Sequence, residues 1–194
     1  MQRAVLLLVL FLGGCSLGGD DSTIAVSALP RIVLQPPDLS SAFLRFDEGR
    51  QINADAPSGR RSDPARFGRQ DGWKARYRRA GSQQTSGPIV VESRADVFKS
   101  SDGAKDDLDA ARADLEDSEL DWQPIDEPGL GDESFAATHV EPGLAKGVRY
   151  YQVYWRDSNV TASLSLNGFE GRFPLADALE LARKQEKRIA EAGR

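Results

Sequence analysis

From Trp73 to Arg79 the chain alternates. Trp73, Ala75 and Tyr77 point one way, and Lys74, Arg76 and Arg78 point the other. A period of two is the pattern of a half-buried strand. Ser82 to Gly87 reads as a polar turn, and Pro88 to Phe98 as a second strand, with Ile89, Val90 and Val91 at its start and Val97 and Phe98 at its end. The two predict a hairpin with a loose connection. The clearest hairpin lies further on. Tyr151, Val153 and Trp155 alternate with Tyr150, Gln152 and Tyr154 over Val148 to Arg156. Val160, Ala162, Leu164 and Leu166 alternate with Thr161, Ser163 and Ser165 over Val160 to Leu166, and Asp157-Ser158-Asn159 supplies the turn. The first of these strands is aromatic on both faces, so it is expected to be central or covered on its second face by a helix. The second has a polar face expected to meet solvent or a polar groove. Glu133 to Val140 is a further strand candidate, between Gly- and Pro-rich connections at Trp122 to Gly131 and Glu141 to Gly147.

Two segments change period. Ala104, Leu108, Ala111 and Leu115 fall on one stripe at helical spacing in Ser101 to Leu120, where Ser101 is a candidate cap and Asp102, Asp106 and Asp107 sit where the helix dipole favours anions. Leu175, Ala178, Leu179, Ala182 and Ile189 do the same in Pro174 to Ala190, with Arg183, Lys184, Lys187 and Arg188 late in the run. Nearer the start, Pro36 and Pro37 break any helix, and Leu39, Phe43 and Leu44 suggest a short helical turn, with Phe43 and Phe46 sealing a core edge. Arg50 to Gln70 has almost no apolar periodicity and reads as a long loop. The expected fold is therefore α+β: a mainly antiparallel sheet of about five strands, packed by two main helices on one face, plus a short N-terminal helical turn.

The first residues follow a different rule. Arg3 is followed by an apolar run from Ala4 to Leu12, too short to span a bilayer, which takes about 20 residues. It fits a secretory signal. Leu12-Gly13-Gly14-Cys15 resembles the lipobox of bacterial lipoproteins, whose cysteine is acylated and becomes the mature N-terminus. Cys15 is the one cysteine in the chain, so no intramolecular disulfide competes for it. This resemblance implies a signal peptide over 1–14, palmitate-type acylation at Cys15, a flexible tether over 15–29 and one globular domain over 30–194. It implies an exported protein, lipid-anchored to the outer face of a membrane of the bacterial cell envelope, with the membrane as its first partner.

Composition adds limits. Hydrophobic residues make up 40% and charged residues 28% of the chain, enough to build a core without disulfides. The net charge of −5 argues against nucleic acid as a partner. His139 is the one histidine, so a His/Cys metal site is not expected, and a histidine-dependent catalyst could use only that residue, with a carboxylate such as Glu141 or Asp132. No Gly-x-Ser-x-Gly elbow and no phosphate loop occurs. No cofactor is expected. Arg60, Arg61, Arg66 and Arg69 form a basic set, either a solvated loop or a contact for anionic lipid or envelope polymer.

Gly131-Asp132-Glu133 and the pattern Leu181-Ala182-Arg183-Lys184-Gln185 through Arg188-Ile189 resemble a group of uncharacterised bacterial lipoproteins, and the outline is similar to PsbP-like domains. That group carries no catalytic residue to transfer. The functional expectation is a non-enzymatic binding or interaction module. The alternatives are a hydrolase-like enzyme using His139 and a purely structural spacer.

Overall fold

Strands with one apolar face must bury it, and here both faces of the sheet find a cover. The computed structural model describes residues 23–51, 64–143 and 146–194. Among them are seven strands: β1 (Leu44–Arg50), β2 (Arg69–Arg78), β3 (Val90–Phe98), β4 (Gln123–Ile125), β5 (Glu133–Glu141), β6 (Val148–Asp157) and β7 (Val160–Phe169). They form one sheet in the order β1-β2-β3-β7-β6-β5-β4, and every adjacent pair is antiparallel. The α-helices are α1 (Leu29–Ile32), α2 (Ser101–Glu116) and α3 (Leu175–Ala192).

The expected count of about five strands is corrected to seven. The two added strands lie at the sheet's edges. β1 reads LRFDEGR, with Leu44 70% and Phe46 42% exposed, so no apolar alternation marks it. Phe46 seals no core edge: its ring is exposed, with the Arg76 and Arg78 guanidinium carbons 5.1 and 5.2 Å from its centroid. β4 is three residues long and contains Pro124, a residue tolerated only at an edge. The short helical turn expected around Leu39 to Leu44 is also displaced. The helical residues are Leu29–Ile32 and a 3-10 turn at Pro36–Asp38.

A second correction concerns the layers. The two long helices lie on opposite faces, not on one. The main core joins Tyr77, Val91, Val153, Trp155 and Leu164 of the sheet to Ala178, Ala182 and Ile189 of α3 and to Ile24, Leu29 and Ile32. A smaller cluster on the other face joins Leu108 and Ala111 of α2 to Phe135, with Leu115 and Tyr154 packed against it. Thr161 turns its hydroxyl into this second interface and donates to the buried Asp107 carboxylate at 2.8 Å. Part of the polar face of β7 is thus covered by α2. Ser100, one residue ahead of the expected cap, accepts from the Gly103 backbone N–H.

The folded part also begins earlier than the expected boundary at residue 30. Ile24, Ala28 and Leu29 are buried. Asn159, in the turn between β6 and β7, holds the entry point. Its Oδ1 accepts from the Ile24 N–H at 2.7 Å, and its Nδ2 donates to the carbonyls of Ile24 and Phe98 at 3.1 and 2.9 Å. Further along, Tyr77 donates to the Leu34 carbonyl at 2.7 Å, and the Leu34 N–H donates to Ser93 Oγ at 2.8 Å. Ser93 donates in turn to the buried Gln185 of α3. Apolar burial and buried hydrogen bonds together dock 24–34 across β2 and β3.

Candidate functional site

The chain leaves α2 and returns through Trp122 to β4, which pairs with β5. Small side chains at Ala136 and Ala137 leave room beneath this return. The result is a cavity of about 170 Å³, open to solvent on one side. Leu115, Trp122, Ile125 and Phe135 make most of its wall, and Arg112 and Glu116 complete the lining with one charge of each sign. An apolar cavity of about 150 Å³ is enough to hold benzene, so the space suits one ring.

The wall is held from behind. Phe135 stacks on Tyr154 with ring centroids 4.9 Å apart and planes at 14°. The Arg112 guanidinium carbon lies 4.7 Å above the Phe135 ring, a cation–π arrangement. Arg112 Nη2 reaches Glu133 Oε1 at 3.4 Å, long for an ion pair, and the Arg112 side chain is 40% exposed. Glu133 Oε2 also lies 3.7 Å from Arg156 Nε. The cavity wall offers no hydroxyl, thiol or imidazole.

Trp122 separates this cavity from a polar groove, its ring 5.6 Å from that of His139. The groove, of about 280 Å³, is lined by Asp121, Gln123, Thr138, His139, Val140 and Arg149. His139 Nδ1 lies 3.3 Å from the Asp121 carbonyl oxygen. Among the described residues no carboxylate or serine hydroxyl bonds the imidazole. Glu141 instead accepts from the Tyr150 hydroxyl at 3.0 Å, and burial followed by that bond pushes the Tyr150 phenol up from its ordinary value. Asp132 is about 20 Å away along β5 and accepts from Arg156 and from the Ser158 N–H. Neither carboxylate named with His139 is therefore brought to it. Among the described residues no group of three or more His, Cys, Asp or Glu side chains is placed to hold a metal ion.

The basic set divides. Cys15, Arg60 and Arg61 lie outside the described residues. Arg66 is exposed, its guanidinium over the Phe67 ring at 4.4 Å. Arg69 turns inward: its side chain is 5% exposed and paired at 2.6 Å with Asp96, which also takes Arg94 at 2.7 Å. Arg69 Nη2 donates to the Gln51 carbonyl as well. Gly72 makes this passage possible, because a Cβ there would collide with both the Arg69 guanidinium and the Asp96 carboxylate. Arg69 thus serves the fold, and the described part of the set does not form one surface.

The cavity was not legible in the sequence, where Trp122 to Gly131 reads as a connection. The available signal was the pair Ala136-Ala137 between Phe135 and His139 in a strand otherwise carrying larger side chains.

No family model and no curated protein matches the chain. Its fold is similar to the crystal structure of the extracellular domain of PknH from Mycobacterium tuberculosis, with a TM-score of 0.62, 11% sequence identity, and coverage of 87% of this chain and 98% of that one. At that identity the likeness establishes a shared fold alone.

Proposed function

We propose that this chain is a membrane-anchored envelope lipoprotein whose folded part is a non-enzymatic binding module. One observation carries the binding half: a preformed, ring-sized cavity walled mostly by apolar side chains, with the Arg112 cation and the Glu116 carboxylate in its lining and no hydroxyl, thiol or imidazole. Few convergent polar groups around an apolar space are what small-molecule sites offer. The anchoring half rests on the lipobox-like Leu12-Gly13-Gly14-Cys15, and two further facts agree with it. Ile24 enters the core at the β6–β7 end of the sheet, clamped by Asn159. The stretch from Cys15 to Ile24 reaches at most about 30 Å when extended, so a lipid at Cys15 keeps that end of the domain near the headgroups. The PknH neighbour is an extracellular domain, which fits an exported reading.

Fractionation tests the proposal. The full chain should sediment with membranes and be released by detergent but not by high salt. Cys15→Ser should move it to the soluble fraction. Equal distribution of the two proteins would overturn the anchor.

A further inference from the structure

Resting on the binding-module reading, we infer that the cavity between α2, Trp122 and β5 takes a single-ring aromatic carboxylate. Its size sets the ring. At about 170 Å³ the space holds one six-membered ring with a short substituent. Its wall sets the polarity: Leu115, Trp122, Ile125 and Phe135 offer mainly dispersion and edge contacts, with the Trp122 indole N–H as the donor among them.

Arg112 sets the charge. Its guanidinium carbon lies 4.7 Å from the Phe135 centroid, which holds the group in the cavity lining, and its N–H groups carry one long contact, to Glu133, that a planar anion can replace. A carboxylate matches those N–H groups with two parallel hydrogen bonds. The acid already beside it, Glu133, is at 3.4 Å, a weak competitor. Glu133 also keeps Arg156 as a second cationic neighbour, so a ligand that draws Arg112 away does not leave Glu133 without a counter-charge. Glu116 in the lining disfavours a second negative charge, which selects a monoanion over a dianion.

The test uses the full chain in nanodiscs of zwitterionic lipid, with empty nanodiscs as the blank. Binding is read by ligand-observed fluorine NMR of 4-fluorophenylacetate. Saturable binding is expected, displaced by phenylacetate and not by acetate. Arg112→Gln should weaken it at least tenfold while leaving the circular dichroism spectrum unchanged. Glu133→Gln should strengthen it two- to fivefold by releasing Arg112, which provides an independent readout if the first variant folds poorly. Neutral 4-fluorobenzyl alcohol should bind at least tenfold more weakly than the acid.

Equal binding of acid and alcohol, or indifference to both variants, would overturn the carboxylate assignment and leave a binding cavity of another ligand class. Absence of saturable binding by acid and alcohol alike would overturn the assignment and remove the cavity as the support for a binding module.

Discussion

Asn159 ties the start of the folded chain to the turn between β6 and β7, and an isosteric change tests that tie. In Asn159→Asp the acceptor that receives the Ile24 N–H is retained. The Nδ2 donor is lost, and a carboxylate oxygen then faces the Ile24 and Phe98 carbonyls at about the present 3.1 and 2.9 Å. Asn159 is 3% exposed, so water does not replace the missing donor. A buried polar group left without its partner costs about 1–3 kcal/mol, and two carbonyls are affected, giving about 2–6 kcal/mol. That is a large share of a typical domain's stability of about 5–15 kcal/mol. With a urea dependence of about 1–3 kcal/mol per molar, the unfolding midpoint should fall by about 0.7 M or more.

The penalty should also depend on pH. Two carbonyl oxygens and burial disfavour the ionised form, so the introduced carboxyl has a higher pKa folded than unfolded. Below the unfolded value of about 3.9 both states hold the proton, and the protonated group can donate to one carbonyl. The variant should therefore approach the wild type in acid and fall away as the pH rises above about 4. Urea unfolding of both proteins across pH 3.5–7.5 measures this. A loss under about 0.5 kcal/mol at pH 7, or one that does not change with pH, would refute the clamp.

Trp155 is fully buried beside Val153 and Leu164, and Trp155→Ala should cost about 3–5 kcal/mol in chemical denaturation. Asp96→Asn should cost a comparable 3–5 kcal/mol, because Arg69 and Arg94 would face a neutral amide in a dry site, whereas Arg66→Gln should stay within about 0.5 kcal/mol. The Asp157 carboxyl is pushed up by burial first, then by Asp132 and Glu186. The unfolded chain releases that proton at lower pH than the folded one, so the charge costs stability at neutral pH. Asp157→Asn should raise the melting temperature by about 1–3 °C at pH 7 after allowing for solvent screening, and by nothing below about pH 4.

The parts of the fold that follow from local pattern were legible. Alternation marks β2, β3, β6 and β7, helical spacing marks α2 and α3, and the inward faces assigned to Tyr77, Tyr151 and Trp155 are the buried ones. The edges were not legible, because edge strands resist pairing by being charged, short or interrupted by proline: β1 carries Arg45, Asp47, Glu48 and Arg50, and β4 is three residues long with Pro124 at its centre. The side of the sheet taken by each helix is a tertiary property. A stripe such as Leu108, Ala111 and Leu115 says that one face is buried and not against what. Ile24, Ala28 and Leu29 followed a Gly- and Ser-rich run and so read as tether. Arg69 looked like its neighbours Arg60, Arg61 and Arg66, and only the pairing of β2 with β3 brings it to Asp96. The cavity depends on Trp122 and Ala136 meeting across a segment with no linear motif.

Membrane anchoring turns most directly on the covalent state of Cys15. The protein should be purified from membranes in detergent, digested, and its N-terminal peptide analysed by mass spectrometry. The account predicts a chain that begins at Cys15, with residues 1–14 removed and a diacylglyceryl group in thioether linkage on the cysteine. Peptides that run through position 15 with a free thiol, or a mature N-terminus elsewhere, would contradict it.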